Sequence, residues 1–135
     1  MSTDVKIDTI GRVYEAFGRG DIPAVLGDVA DDVDWAQETT SSAAPWYGPR
    51  HGKDEVSAFF NDFGSAMEVQ EFTPLTYAAN DTDVFTIVRV KARSRDTGRT
   101  MVNNVHHFFR FRNGKIAFYR GTEDTAQVED VLRSS

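Results

Sequence analysis

Hydrophobic and polar positions along the chain change from mainly helical spacing to strand spacing near Glu68. Before that point most apolar residues recur with helical spacing. Ile10, Val13, Tyr14 and Phe17 fall at i, i+3, i+4 and i+7, one face of a first helix. Gly18 and Gly20 end it, and Asp21 caps a shorter second helix carrying Ile22, Val25, Leu26 and Val29. Val33 and Trp35 then alternate with Asp34 and Ala36, the period of a short strand. A loop through Ser41, Ser42, Pro45 and Pro49 leads to a third helix that opens near Gly52. Asp54 and Glu55 occupy its first turn, where the helix dipole favours acid, and its apolar face is Val56, Phe59, Phe60 and Phe63. From about Glu68 the runs are rich in Val, Ile, Thr, Phe and Tyr, with turn signals at Asn80-Asp81, Thr97-Gly98 and Asn113-Gly114. The pattern predicts a four-stranded antiparallel meander over residues 68–123 closing over three N-terminal helices, with a last helical turn from about Thr125. Helices first and a meander second is the order of an α+β fold.

Turn chemistry also predicts which side chains share a face. Two-residue loops at Thr97-Gly98 and Asn113-Gly114 pair Asp96 with Arg99 and Arg112 with Lys115. One face then carries Val84, Thr86, Val88, Val90 and Ala92, opposite Phe111, Phe109, His107, Val105 and Asn103. The second hairpin adds Ile116, Phe118, Arg120 and Thr122 to it. The other face collects Arg89, Lys91, Arg93, Arg95, Asn104, His106, Arg110 and Arg112, as expected of a sheet that covers a core on one side. In this register His107 and Arg120 are directly opposed on the apolar face, with Cβ atoms about 4.5–5.5 Å apart. An arginine there keeps its proton and needs an anionic or strongly accepting partner. Two arrangements meet that need. In one, Arg120 bridges to Glu15 or Asp34 and His107 bonds a backbone carbonyl. In the other, His107 and Arg120 form the polar end of a greasy pocket and meet a ligand oxygen.

At 135 residues and 15.1 kDa the chain has room for one domain spanning 1–135. Such a domain buries roughly 65–70% of its unfolded surface and needs no staple. Cysteine is absent, which excludes disulfides, thiolate metal sites and a cysteine nucleophile. The N-terminus lacks the basic-then-apolar pattern of a secretory signal and no apolar run spans a bilayer, so the expectation is a cytoplasmic protein without a membrane partner. A net charge of −6 opposes nucleic acid as a partner. The basic sheet face reads as solvated or dimer-buried, paired with carboxylates. His106 and His107 point to opposite faces of one strand and cannot share an ion, so no metal is expected. No Gly-rich loop opens a helix after a strand, so no nucleotide cofactor is expected, and there is no Gly-x-Ser-x-Gly elbow. Ten Phe, four Tyr and two Trp suit either an ordinary core or a domain built around an apolar cavity. Trp35, Trp46 and Tyr47 line such a cavity or plug its mouth.

Four stretches, in order along nearly the whole chain, resemble the SnoaL-like branch of the nuclear transport factor 2-like superfamily. They are Phe17-Gly18-Arg19-Gly20-Asp21, Ala30-Asp31-Asp32-Val33-Asp34-Trp35, Trp46-Tyr47-Gly48-Pro49-Arg50-His51-Gly52, and the run from His107 to Ile116 followed by Glu123-Asp124-Thr125. The resemblance implies a cone-shaped α+β barrel of curved antiparallel sheet packed on three N-terminal helices, a cavity between them, and commonly a homodimer through the outer sheet face. The branch includes ketosteroid isomerases, polyketide cyclases and limonene epoxide hydrolases. The isomerases use an aspartate base and an oxyanion hole of tyrosine plus a protonated aspartic acid. Those positions resemble Trp35, Val13 and His107 here, with Tyr14 one residue on and roughly 100° around the helix. The acidic residue of the cyclases' last strand aligns with Gly121, and the hydrolases' Arg-x-Asp pair is not seen, because Arg89-Val90-Lys91 has lysine in place of the aspartate and faces outward. What the resemblance implies is an isomerase- or cyclase-type enzyme for a small hydrophobic carbonyl or acidic compound. In that reading His107 transfers a proton or binds an oxyanion, Arg120 orients the ligand, Tyr14 is a second donor, and Trp35, Trp46, Asn103 and Phe63 line the pocket. The alternative is a non-catalytic ligand-binding or dimeric interaction module.

Overall fold

The computed structural model describes residues 2–133. Helix α1 (Thr3–Gly18) starts at Ser2, whose side chain accepts from the Val5 amide, and buries Ile10, Val13, Tyr14 and Ala16. Helix α2 (Ile22–Leu26) is capped by Asp21 and stops at Gly27, so Val29 opens strand β1 (Val29–Gln37) instead of extending the helix. Strand β2 (Arg50–His51) precedes α3 (Gly52–Ala66), which has Asp54 and Glu55 in its first turn. Strands β3 (Met67–Ala79), β4 (Asp83–Ser94), β5 (Thr100–Arg112) and β6 (Lys115–Thr122) form the antiparallel meander, and helix α4 (Thr125–Leu132) follows.

The six strands lie in the order β2-β1-β6-β5-β4-β3, and β1 runs parallel to β6 while every other pair is antiparallel. The sheet is therefore mixed, and it is open: its ends, β2 and β3, do not pair. This corrects the closed antiparallel barrel. The helix count is also corrected, because the segment after Thr125 forms a helix of 8 residues that buries Val128 and Val131. The core lies between the inner sheet face and helices α1 and α3. No helix among the described residues is long and apolar enough to cross a membrane.

Turn chemistry at the two hairpins decides what faces that core. Asn113 (φ 52°) and Gly114 (φ 76°) both adopt the positive φ of a two-residue turn, and Arg112 pairs with Lys115 as expected. The Thr97-Gly98 loop is longer than expected. Gly98 N donates to Ser94 O at 2.9 Å and Ser94 N donates to Arg99 O at 2.8 Å, leaving four residues, 95–98, in the loop. The register moves by two residues, so Thr86 opposes His107 and Val90 opposes Asn103. An even shift keeps every side chain on its face.

The second hairpin holds the correction that matters. Phe111 pairs with Ile116 but Arg110 pairs with Phe118, so Ala117 is an extra residue in β6. Beyond this bulge the strand's two faces exchange. Tyr119 and Gly121 turn inward, opposite Phe109 and His107, whereas Phe118 and Arg120 turn outward. His107 and Arg120 are not cross-strand partners; Arg120 opposes Phe108. Its guanidinium lies 4.1 Å from the Phe118 ring centroid, 2.9 Å from Asp34 Oδ1 and 3.4 Å from Glu38 Oε2. The Arg120 half of the first arrangement is found, a bridge to Asp34, but it is on the outside, and His107 bonds the Tyr14 hydroxyl instead of a backbone carbonyl. Neighbouring cations of that face are paired too: Arg89 with Glu71 at 3.1 Å, Arg110 with Asp83 at 2.8 Å, and Arg112 with Asp32.

Outer ion pairs in contact with solvent contribute about 0–1 kcal/mol each. Replacing Arg120 with Met is therefore expected to cost no more than about 1–2 kcal/mol in urea denaturation and to leave the cavity intact. A loss above about 3 kcal/mol would be the signature of an interior charge stripped of its partner.

Candidate functional site

A cavity of about 90 Å³ opens between the inner sheet face and the helices. Helix α1 contributes Val13, Tyr14 and Phe17, and α3 contributes Phe59, Phe60 and Phe63. The sheet supplies Phe72, Val90, Met101, Val105 and Phe109, and Trp46 closes one side from the β1–β2 loop. Helical spacing on α1 and α3 and strand alternation on β4 and β5 bring these residues to one volume, as the apolar periodicities require.

Polar groups enter this apolar lining at two places. The first is a chain across α1, β4 and β5. Tyr14 Oη lies 2.6 Å from Thr86 Oγ1 and 2.7 Å from His107 Nδ1. Burial raises the Tyr14 hydroxyl far above its ordinary value, so it remains a phenol. Burial, together with the nearby His106, pushes His107 down to about 3. The imidazole is therefore neutral at physiological pH, and one of its nitrogens is already engaged by Tyr14. Nε2 makes no hydrogen bond among the described residues. His107 is half-buried and its open edge lines the cavity.

The second place follows from the bulge. Tyr119 stacks on Trp35 with ring centroids 4.1 Å apart and donates through Oη to Gln37 Oε1 at 2.9 Å. Gly121 leaves the space that this pair fills: a Cβ there would stand 2.2 Å from Tyr119 Oη and 2.5 Å from Gln37 Oε1. Two residues on, Glu123 lines the cavity, and Trp46 Nε1 donates to its Oε1 at 3.2 Å. Burial raises the Glu123 carboxyl above the usual range, and hydrogen bonds from Trp46 and Gln37 offset part of that. Because His107 opposes Gly121, Glu123 stands roughly 7 Å further along the sheet, two residues of strand rise. Trp35 Nε1 is buried without a hydrogen-bond partner in the same wall.

The structure brings together five of the residues expected at a site, namely His107, Tyr14, Trp35, Trp46 and Phe63. Asn103 faces inward between Met101 and Val105, which line the cavity, but it is not itself in the lining; both polar atoms of its amide are buried without partners. Arg120 belongs to the opposite face, beside His106, Phe108 and Phe118. Glu123, Gln37 and Tyr119 were not among the expected site residues. Regular alternation from Lys115 places Phe118 inward, and since Phe118 and Tyr119 are both aromatic, their composition carries no sign of the exchange. Gly121, a glycine inside a strand, is the one local signal of a bulge or close approach. Among the described residues no cluster of His, Asp and Glu could hold a metal ion.

No curated protein matches the chain. Among solved structures, a nuclear transport factor 2-like protein of unknown function from Burkholderia pseudomallei superposes with a TM-score of 0.89 at 27% identity, covering 99% of this chain and 100% of that one. TerC, co-crystallised with polyporic acid, has a TM-score of 0.84 at 19% identity, covering 96% and 99%. A candidate polyketide cyclase from Xanthomonas campestris has a TM-score of 0.78 at 20% identity, covering 97% and 98%. These likenesses agree with the nuclear transport factor 2-like fold. Residues 10–119 match the SnoaL-like domain, and the chain belongs to that family.

Proposed function

We propose that the cavity binds a small hydrophobic carbonyl compound and that the chain is an enzyme of the isomerase or cyclase kind. The observation that carries this reading is the 2.7 Å bond from Tyr14 to a neutral, desolvated His107 inside an apolar cavity. A group so reluctant to take a proton is a poor general base but a good uncharged donor. In the tautomer that supports the reading, Thr86 donates to Tyr14 Oη, Tyr14 donates to Nδ1, and Nε2–H is presented to the ligand. The donor then meets a carbonyl oxygen where negative charge develops, in a site with little water to compete. Glu123 is the proton acceptor. It removes a proton from the carbon next to the carbonyl, and the C–H electron pair passes to the carbonyl oxygen as an enolate held by His107. Return of the proton to a different carbon is isomerisation. Attack of the enolate carbon on an electrophilic carbon of the same molecule is cyclisation. Burial tunes Glu123 toward the working pH of such a base.

Two solved relatives, the cyclase candidate above and a candidate isomerase from Rhodopseudomonas palustris, support this class of chemistry. A second reading, ligand binding without turnover, draws on Trp35: an indole stands where the resemblance places the isomerase base, and its Nε1 is a donor only. We also propose a homodimer through the outer sheet face, supported by the apolar side chains Phe85, Phe108 and Phe118 among its ion pairs. Sedimentation at tens of micromolar is expected to give about twice the 15.1 kDa chain mass, and a lone monomer would end that part.

Turnover is measurable as exchange of the α-proton of hydrophobic ketones in D2O by NMR. Replacing His107 with Phe is expected to slow exchange about 10²–10³-fold, and Glu123→Gln should abolish the enzymic rate. Because His107 is held near 3, the wild-type rate should show no titration near pH 6.5 from this group. Equal rates for wild type and both variants would remove the catalytic reading and favour the binding module.

A further inference from the structure

Once Arg120 is placed on the outer face, the electrostatics of the cavity lose their only candidate cation. Among the described residues no Lys or Arg lines it. Its titratable lining groups are Tyr14, His107, Tyr119 and Glu123. The two phenols stay protonated, because burial raises both, and His107 stays neutral. Glu123 is the single group that can bear charge, and that charge is negative. The remaining polar atoms are Trp46 Nε1, already given to Glu123, the Gln37 amide held by Tyr119, and Trp35 Nε1, an unpartnered donor in a residue only 3% exposed.

We propose that the cavity selects an uncharged carbonyl compound over a carboxylate of the same shape, and that Glu123 enforces the choice. This rests on the same cavity and the same donor, His107, as the function proposed above, and it narrows the ligand class. A ketone oxygen accepts one or two hydrogen bonds and is satisfied by His107 Nε2–H. A carboxylate brings a full charge that must leave water. It finds no cation to replace its hydration, and it stands within roughly two residues' rise of a second carboxyl group.

The test uses 2-acetylnaphthalene and 2-naphthoate, which share a ring system and differ in charge, titrated into the wild-type protein by calorimetry at pH 7.5. Acetylnaphthalene should bind at least about ten-fold more tightly than naphthoate. In Glu123→Gln, which keeps an oxygen for Trp46 Nε1 and removes the charge, naphthoate should gain about ten-fold while acetylnaphthalene changes little. Equal or tighter binding of naphthoate by the wild type would overturn the selection while leaving a ligand site with His107 in it. An unchanged preference in Glu123→Gln would remove Glu123 from the selection. Failure of both compounds to bind at millimolar concentration would sink this inference and the binding site on which it rests.

Discussion

One extra residue in β6, Ala117, decides which half of that strand faces the interior. Successive side chains of a strand point to opposite faces, so a single inserted residue reverses everything downstream of it. Upstream, Ile116 packs against Phe111 in the core. Downstream, the inward positions become Tyr119, Gly121 and Glu123, and the outward ones Phe118, Arg120 and Thr122. Without the bulge a guanidinium and a bulky phenyl would stand against His107. With it, His107 faces a glycine. The cavity's shape, its lack of cations and the position of its one carboxyl all descend from that insertion.

The rest of the site is a matter of keeping polar groups neutral and satisfied in an apolar volume. Tyr14 reaches across from α1 and touches two strands at once through Thr86 and His107. Tyr14 and Thr86 are buried and paired with each other, His107 pairs with Tyr14 through Nδ1, and only Nε2 is left facing the cavity. The exceptions are informative. Trp35 Nε1 and the Asn103 amide are buried and unpartnered, and the first lies in the cavity wall. An unsatisfied buried donor costs free energy of about 1–3 kcal/mol.

Much of the fold was legible in the chain because it depends on periodicity. The apolar stripes of α1 and α3, the Asn113-Gly114 turn and the meander follow from spacing alone, and the mistaken length of the Thr97-Gly98 loop did no harm because the shift was even. His107, Tyr14, Trp35 and Phe63 lie on those periodic stripes and reach the cavity lining, as does Trp46, which was expected there from its aromatic character and from the resemblance. Glu123, Tyr119 and Gln37 were not. They depend on an odd register shift between two strands, which a pattern of Phe, Tyr and Arg at alternate positions does not distinguish from regular pairing. Arg120 was misplaced by the same shift. The parallel partner of β6 was also hidden: β1 reaches it from the other end of the chain, and no local signal announces that pairing.

The central claim is that His107 is a neutral hydrogen-bond donor held by Tyr14. The most direct measurement is the 15N NMR titration of His107, assigned with a His107→Gln control. The account predicts that its two ring nitrogens keep the shifts of a neutral imidazole from pH 8 to pH 5, with Nε2 protonated, and that Tyr14→Phe perturbs Nδ1. A protonation midpoint near 6.5, with Nδ1 insensitive to the loss of Tyr14, would contradict it.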